Sequence, residues 1–384
     1  MTFPQGADDV ATEASAAEAV RILEGQGELA VDVEADAMHA FRARLCFVQV
    51  ATDRDIFLFD TLVPEVGVRA LAGLFADPSR TKYFHAASGD LQYLAEEGVR
   101  VRGLFDTHRA ATLLGWLRVG LADLAREQLG VELPKEHQQS DFAVRPLPAE
   151  VRAYIADDVR YLCEIGRKVR EECRKADILE EVELDCLRLC VEAEARPDLN
   201  AFRPRLPRGS MSAAQYALGM AIGAALHERR LLWAEAVNVP MGRMLSNAAI
   251  AAIAQRVPSG LKEMARLEGV RGAFVREHGE EALELVRRLL EQSRAGTLPS
   301  LEEKKEPRDP NRKKREEALK AFRAEKAADR KVTPSVVLPN PLVEELSLLS
   351  APSAEEIGAL PYLGEKRRRL YAAELAELLA RYSR

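Results

Sequence analysis

Strand-forming segments are confined to the N-terminal part of this 384-residue chain, and this confinement restricts its possible folds more than any other feature. Three short runs rich in Val, Ile, Leu and Phe follow one another closely and have the length and composition of strands of one sheet. They lie at Leu29–Val33, Leu45–Ala51 and Asp55–Phe59. The apolar and aromatic segment Thr81–His85 is predicted to be a further buried strand. Helical stretches near residues 65–76 and 88–97 alternate with these strands, which predicts an α/β N-terminal domain.

The chain from Leu121 onward has helical patterns, including a long amphipathic stretch from about Ala149 to Ala193. Two segments interrupt the helices. Ala193–Ser210 holds three Pro and one Gly, and residues 296–312 are polar and contain Pro, so both are predicted to be domain boundaries. The predicted domains are residues 1–195, 211–295 and 313–384, with linkers at 196–210 and 296–312.

The last two predicted domains resemble each other in sequence. Leu245–Val270 aligns with Leu338–Leu363 at an offset of 93 or 94 residues. Both segments begin with Leu-x-Asn before a helix, continue to a Pro-Ser pair, and end at an apolar turn. Because turn residues and apolar positions recur together, we interpret the two segments as tandem copies of one helical module.

Charge is distributed unevenly along the chain. Residues 1–195 carry 22 Lys and Arg against 36 Asp and Glu, whereas residues 196–384 carry 33 against 25, so the net charges are −14 and +8. A basic half favours attraction to a phosphate backbone, and an acidic half repels nucleic acid unless bound cations neutralise some carboxylates. The contrast favours a metal site in the first half and nucleic-acid contacts in the second.

The cysteines and the N-terminus indicate a cytoplasmic protein. The five cysteines are odd in number and scattered, without the spacing of a zinc site or of a disulfide framework. They are Cys46, Cys163, Cys173, Cys186 and Cys190. The first twenty residues are acidic and small rather than cationic and apolar, so a secretory signal is not expected, and no apolar run reaches membrane-spanning length.

Two acidic segments in the N-terminal domain are candidates for chemistry. Asp32 and Glu34 are two residues apart on the first predicted strand, so both carboxylates project from one face. Alone, such a pair is also typical of a solvent-exposed sheet edge. Asp90 lies in the segment His85–Leu91, which connects a strand to a helix, and there Asp90 or Ser88 alternatively caps the helix.

A third segment adds a phenol and a carboxylate on one helix face. Tyr154 and Asp158 are four residues apart, whereas Asp157 is rotated away. Alone, this pair is typical of a solvated helix surface. Taken together and in order, the three segments resemble the three motifs of the DEDDy exonucleases, and the similarity extends over most of residues 28–165.

Further segments resemble ribonuclease D, a bacterial family within the DEDDy group. LFDTHRAATLLG around Asp106 resembles a Phe-Asp-Thr strand of the family, and LPKEHQQSDFAVRPLP resembles another of its segments. The repeated helical modules resemble HRDC domains, most closely in LHERRLLWAEAVNVPMGRMLSN. The resemblance implies a ribonuclease H-like mixed sheet flanked by helices, followed by two small all-α HRDC-like bundles.

By this resemblance, four carboxylates hold two divalent cations, Mg²⁺ or Mn²⁺, as hard oxygen ligands suit these ions. The implied ligands are Asp32, Glu34, Asp90 and Asp158. Tyr154 is expected to orient the attacking water. Two such ions activate a water and stabilise the leaving oxygen of a phosphodiester. The implied reaction is 3′–5′ hydrolysis of RNA that releases nucleoside 5′-monophosphates.

Contacts to the substrate are expected from Lys135, Phe142 and His85, for which a solvated surface position or a structural role is the alternative. In place of the family's usual residues, Val33 separates the two strand acids and Ala35 follows them, and the loop to Arg44 is unusual. These departures affect the expected substrate preference rather than the ligand set.

In the HRDC-like modules, basic side chains are candidates for RNA contacts, with solvated helix faces as the alternative. The candidates are Arg229, Arg230, Arg243 and Lys366, Arg367, Arg368, Arg369. PYLGEKRRRL also resembles a Gly turn that opens a helix, whose free N–H groups can take a phosphate.

The favoured function is an exoribonuclease that trims stable RNA such as tRNA precursors, acting as a monomer without membrane attachment. A DNA-directed exonuclease of repair is the first alternative, because the same site cleaves either sugar and HRDC modules also occur in helicases. A non-catalytic RNA-binding protein is the second. The complete set of acids and tyrosine favours an enzyme.

Overall fold

A computed structural model describes residues 3–134, 137–195, 202–298 and 309–383. The chain divides into two compact units. The first unit comprises Met1–Ala35, Leu45–Arg196 and Arg308–Arg384, and the second comprises Asp36–Arg44 and Pro197–Pro307. The sheet and the C-terminal helices therefore share one unit, and the helices between them belong to the other.

A six-stranded mixed sheet is the framework of the first unit. Its strands are β1 (Asp8–Val10), β2 (Glu28–Ala35), β3 (Leu45–Ala51), β4 (Ile56–Asp60), β5 (Thr81–Phe84) and β6 (Leu104–Asp106). Their order across the sheet is β1-β4-β3-β2-β5-β6. The pairs β2–β3 and β3–β4 are antiparallel, and the other three pairs are parallel. The predicted α/β class is confirmed, and β1 is a strand that the sequence pattern did not indicate.

The described residues in the N-terminal part of the first unit form eight α-helices. They are α1 (Glu13–Glu24), α2 (Ala72–Ala76), α3 (Ser88–Glu96), α4 (Thr107–Leu113), α5 (Leu121–Leu129), α6 (Ala149–Arg160), α7 (Leu162–Lys175) and α8 (Leu179–Glu194). The expectation of one long amphipathic stretch from Ala149 to Ala193 is corrected, because α6, α7 and α8 are separate. The chain turns between α7 and α8 at Asp177, which adopts φ 53°, a left-handed conformation that Asp tolerates better than most residues.

The core of this part forms between the sheet and the helices. Every residue of β3 and β4 is buried, as expected for inner strands with long apolar runs. Helix α7 approaches β5 so closely that a Cβ at Gly166 would collide with the ring of Tyr83. Gly166 therefore allows α7 to pack directly on the sheet.

Two further sets of helices follow, each with its own apolar core. In the second unit they are α9 (Ala213–Ala236), α10 (Met241–Met244), α11 (Asn247–Arg256), α12 (Leu261–Met264) and α13 (Gly272–Ala295). At the C-terminal end of the first unit they are α14 (Arg312–Arg330), α15 (Pro334–Val337), α16 (Asn340–Leu348), α17 (Ala354–Gly358) and α18 (Gly364–Ala380). Among the described residues, no helix has both the length and the apolar character needed to cross a membrane.

The predicted tandem repeat is reproduced in side-chain contacts. In α9, Arg230 donates to the Leu245 carbonyl at 2.7 Å and to Asn247 Oδ1 at 2.8 Å. In α14, Arg323 donates to the carbonyl of Leu338 at 3.1 Å and to Oδ1 of Asn340 at 2.8 Å. All three positions differ by 93 residues, the offset read from the sequence. The Leu-x-Asn start of each repeat thus binds an Arg of the preceding long helix.

The C-terminal helices pack against α8 through a buried ionic cluster. Glu181 of α8 has a fully buried side chain and pairs with Arg330 at 3.0 Å and with Lys366 at 3.6 Å. The backbone N–H of Lys366, in the first turn of α18, donates to the Glu180 carboxylate at 3.1 Å. A carboxylate of α8 therefore binds the start of α18. The expectation that this turn binds a phosphate is wrong.

Several basic side chains that the sequence offered for RNA contacts have structural partners. Arg230 and Arg367 are buried, at 1% and 2% exposure, and donate to backbone carbonyls. Lys366 pairs with Glu181 of α8 and with Asp177 just before that helix, and Arg229 pairs with Glu281 of α13. Burial corrects the expectation for Arg230, Arg367 and Lys366, since a charged group enclosed by protein cannot reach a phosphate. The Arg229 side chain is 43% exposed, so its RNA contact stays a prediction. Arg243 and Arg369 remain exposed.

We expect Glu181→Ala to destabilise the first unit by about 3 kcal/mol, because breaking a buried ion pair leaves the partner charges uncompensated. Equilibrium unfolding in urea measures this change. The control is Glu365→Ala, which removes an exposed pair with Arg368 and should leave the unfolding curve unchanged. Equal curves for the two variants would contradict a structural role for Glu181.

Candidate metal centre on the sheet face

The first two acids of the candidate site lie on the central strand β2. Asp32 and Glu34 alternate with the buried Val31 and Val33, so both carboxylates project from the same face, as predicted. The pairing of β2 with β3 shifts between Glu34 and Ala35. Such an irregularity bends a strand and redirects its side chains, and here it falls directly after the second acid.

Helix α6 brings a third acid to this face. One carboxylate oxygen each from Asp32, Glu34 and Asp158 lies within 4.8 Å of the other two. Tyr154, one helical turn before Asp158, is close enough to hydrogen-bond the Asp158 carboxylate. Asp157 instead pairs with Arg160 at 2.6 Å. The helix periodicity thus separates the two neighbouring acids as the sequence predicted.

The fourth acid, Asp90, is in the first turn of α3. It lies outside the group of three, yet its charge raises the pKa values of Asp32 and Glu34, so it faces the same centre. The alternative role for Asp90 or Ser88 as helix cap is wrong, because Ala87 is the N-cap residue and no side chain caps it.

The turn that carries Asp90 is held by Asp106, at the end of β6. The buried Asp106 carboxylate accepts the backbone N–H groups of Ala86 and Ala87, both at 3.0 Å. It also accepts those of His108 and Arg109 and thereby caps α4. Ala86 adopts φ 62°, a conformation that a non-glycine residue takes up only when its surroundings impose it. Asp106 thus both caps α4 and supports the turn that carries Asp90.

The four acids disturb one another electrostatically. Burial, followed by the charges of Asp90, Asp158 and Glu34, raises the pKa of Asp32 well above its ordinary value. Burial and the neighbouring charges of Asp158 and Asp90 raise the pKa of Glu34 to about 9. Burial is also the main reason why the pKa values of Asp90 and Asp158 rise to about 7. Without a cation, several of these groups therefore retain protons near neutral pH.

The donor set fits a hard divalent cation. Among the described residues, no Lys or Arg forms an ion pair with any of the four acids. Oδ2 of Asp158 is buried and has no hydrogen-bond partner in the described part of the chain. Carboxylate oxygens are the ligands that Mg²⁺ and Mn²⁺ prefer. A bound cation would supply the missing partner of Asp158 Oδ2 and offset the repulsion among the four carboxylates.

The three predicted substrate contacts have different outcomes. Lys135 lies outside the described residues. Phe142 is buried at 3% exposure in the apolar core, so packing replaces the expected substrate contact. His85 is largely buried, its Nδ1 lies 2.9 Å from the Thr107 hydroxyl, and burial lowers its pKa to about 4. His85 is thus a neutral side chain with a structural partner.

Three residues near the site were not singled out from the sequence. The ring of His137 lies 6.3 Å from that of Tyr154. Arg145 forms a bidentate pair with Asp60, at 2.5 and 2.7 Å, and its guanidinium stacks 4.2 Å from the Phe47 ring. Gln49 lies opposite Asp32 in the neighbouring strand. Gln49 and Phe47 lie near the acids because of the register of β3 against β2. A single sequence does not reveal strand register.

Two family models match the chain. Residues 8–174 match a model described as 3′–5′ exonuclease, and residues 220–286 and 312–379 match HRDC domains. The chain is 32% identical over 248 residues to ribonuclease D of Gluconacetobacter diazotrophicus, covering 64% of this chain and 62% of that one. It is 28% identical over 384 residues to ribonuclease D of Acidiphilium cryptum, covering 98% and 94%.

Other relatives share only part of the chain or only the fold. Exosome complex component 10 of Mus musculus is 38% identical over 151 residues, which are 39% of this chain and 17% of the mouse protein. The chain thus spans less than two thirds of both the mouse protein and the Gluconacetobacter relative. The crystal structure of Escherichia coli RNase D superposes with a TM-score of 0.72 at 22% identity, covering 99% of this chain and 100% of that one. This similarity supports the fold.

We expect the metal-free protein to lose stability as pH rises from about 4 to 9. The raised pKa values mean that the folded state holds protons that the unfolded state has already released, so the free energy of unfolding falls with pH. Thermal unfolding in EDTA between pH 5 and pH 9 measures the decline, and excess Mn²⁺ should reduce it. Asp158→Asn should show a shallower decline, and a slope equal to that of the parent would contradict the expectation.

We expect Asp106→Asn to move the turn that carries Asp90. The nitrogen of an amide cannot accept a hydrogen bond, unlike the second oxygen of a carboxylate. One or more backbone N–H groups therefore lose their partner, and each loss destabilises the fold by about 1–3 kcal/mol. Urea unfolding should report this loss, and Mn²⁺ binding should weaken. Asp123→Asn, which removes only the pair with Arg126, is the control. Unchanged Mn²⁺ affinity in Asp106→Asn would exclude a positioning role.

Proposed function

Because residues 8–174 match a 3′–5′ exonuclease model, two later segments match HRDC domains and the whole chain is similar to a ribonuclease D, we propose that it is a metal-dependent 3′–5′ exoribonuclease. The observation that carries this proposal is the convergence of Asp32, Glu34 and Asp158 from two distant segments, with no described basic side chain to balance them. Stable RNA with a 3′ extension, such as a tRNA precursor, is the proposed substrate.

The site residues have distinct proposed roles. Asp32, Glu34 and Asp158 hold the cations, and Asp90, in the first turn of α3, completes the ligand set. Two divalent ions, Mg²⁺ or Mn²⁺, would supply an activated water and stabilise the leaving oxygen. The high pKa of Asp32 and Glu34 without metal has a direct consequence: the cations and protons compete for the same oxygens. Cation affinity should therefore rise with pH.

Tyr154 is proposed to orient the attacking water. Burial and the charges of Asp158, Glu34 and Asp32 raise the pKa of its hydroxyl well above the ordinary value of tyrosine. The phenol therefore stays protonated and serves as a hydrogen-bond donor rather than as a base. Its position on α6, one turn from Asp158, fixes the hydroxyl next to a proposed ligand.

RNA binding is proposed for exposed basic side chains of the HRDC domains. In the second unit these include Arg243, Lys262, Arg266 and Arg271, and in the C-terminal helices they include Lys313, Lys314 and Arg369. Their charges remain accessible, in contrast to those of Arg230 and Arg367. Phosphate contacts of this kind supply affinity without sequence preference and weaken with salt. We further propose a monomer in the cytoplasm.

We expect the purified protein to shorten a 3′-extended RNA one nucleotide at a time when Mg²⁺ or Mn²⁺ is present and to stop in EDTA. Asp32→Ala and Asp158→Ala should each lower the rate by at least about 100-fold, since even partners behind the ligands of a metal site contribute 10- to 100-fold. Denaturing gels of end-labelled RNA measure the rate, and filter binding should show retained RNA affinity.

Asp157→Ala is the matched control, because Asp157 adjoins Asp158 but pairs with Arg160, and it should trim normally. A DNA strand of the same sequence tests the first alternative function. Preferential shortening of the DNA would overturn the RNA proposal while retaining an exonuclease. Trimming that persists at the parent rate in Asp158→Ala would overturn the assigned site.

A further inference from the structure

Gln49 occupies the middle of β3, next to the candidate site. In the antiparallel pairing of β2 with β3 it lies directly opposite Asp32, and in the pairing of β3 with β4 it lies opposite Leu58. Directly opposed residues of antiparallel strands project from the same face, about 5 Å apart at Cβ. The carboxamide of Gln49 therefore belongs to the face that carries Asp32 and Glu34 and that α6 covers.

The Gln49 side chain is fully buried and lacks hydrogen bonds. Its exposure is 0%, and neither Oε1 nor Nε2 has a hydrogen-bond partner among the described residues. Within that part of the chain it is the one side chain with two orphaned polar atoms. The buried Oδ2 of Asp158, which projects onto the same face from α6, also lacks a hydrogen-bond partner among the described residues. Buried polar groups of native proteins normally have partners, so each such group needs an explanation.

We propose that Gln49 is a positioning residue of the metal centre, an inference that rests on the proposed function. When a cation is bound, Nε2 would donate to the Asp32 carboxylate and so determine which oxygen faces the cation, while Oε1 would accept from a water of the centre. Partners behind the ligands of a metal site hold the ligands in orientation and tune their affinity. The protein thus supplies both a donor and an acceptor next to its central ligand.

The chemistry of the position favours an amide over other side chains. A Lys or Arg opposite Asp32 would compete with the cation for the carboxylates. An Asp or Glu would add a fifth negative charge to a group whose mutual repulsion already raises the pKa of its members. A Leu or Val would satisfy the packing of β3 but would leave Asp32 free to rotate. An amide orients a carboxylate without changing the net charge.

The test measures Mn²⁺ binding to the full chain by isothermal titration calorimetry, with thermal unfolding of the metal-free protein alongside. Gln49→Met keeps the length of the side chain and removes both polar atoms. We expect Mn²⁺ affinity to fall about 10- to 100-fold, while the metal-free melting temperature stays equal or rises because two orphaned atoms are gone. Gln49→Asn, which keeps the amide on a shorter chain, should recover part of the affinity.

Leu58→Met is the matched control, since Leu58 is the neighbour of Gln49 on β4 and the change is apolar for apolar; it should bind Mn²⁺ within about twofold of the parent. Parent-like Mn²⁺ affinity in both Gln49 variants would overturn the inference and leave the proposed function intact. Failure of the parent chain to bind Mn²⁺, or binding unaffected by Asp32→Ala, would overturn the proposed function and with it this inference.

Discussion

Repulsion among carboxylates gathered on one face of the sheet is the constraint on which the structure depends. Asp32, Glu34 and Asp158 approach within 4.8 Å of one another, and Asp90 adds its charge from α3. Such a group raises the pKa of its members and lowers the stability of the metal-free fold at neutral pH. Protonation or a bound cation relieves this repulsion, so the acids are explained by function and not by stability.

The fold meets this constraint with supports on several elements. The sheet fixes two acids by strand alternation, α6 fixes the third by helical periodicity, and Asp106 fixes the turn before the fourth. Helix α8 then connects this framework to the C-terminal helices. Its Cys186 sulfur accepts a hydrogen bond from the Asp106 backbone at 3.3 Å, and its Glu181 anchors Arg330 and Lys366. One helix therefore contacts both the support of the acidic site and the last helical module.

Local patterns in the sequence predicted much of this structure. Alternation placed Asp32 and Glu34 on one face, the i, i+4 spacing placed Tyr154 beside Asp158, and the 93-residue offset predicted the repeat. The pattern did not indicate the short strand β1, whose three residues derive their strand geometry from pairing with β4. Gln49 was missed for a similar reason: its significance follows from strand register, a long-range property that no local pattern encodes.

Net charge favoured nucleic-acid contacts in the C-terminal half, but it could not tell which basic residues there are accessible. The basic run from Lys366 to Arg369 lies on a helix with one side packed on α8, so Lys366 and Arg367 face inward, whereas Arg369 faces solvent. Helical periodicity divides any such run between two faces, and composition cannot tell which face is covered. Arg230 and Arg323 occupy equivalent positions in the two repeats, and each donates a hydrogen bond to the Asn of its Leu-x-Asn segment. An arginine that recurs at a repeat offset is therefore a structural candidate first, and nucleic-acid contacts are better sought among basic residues that the repeat does not share.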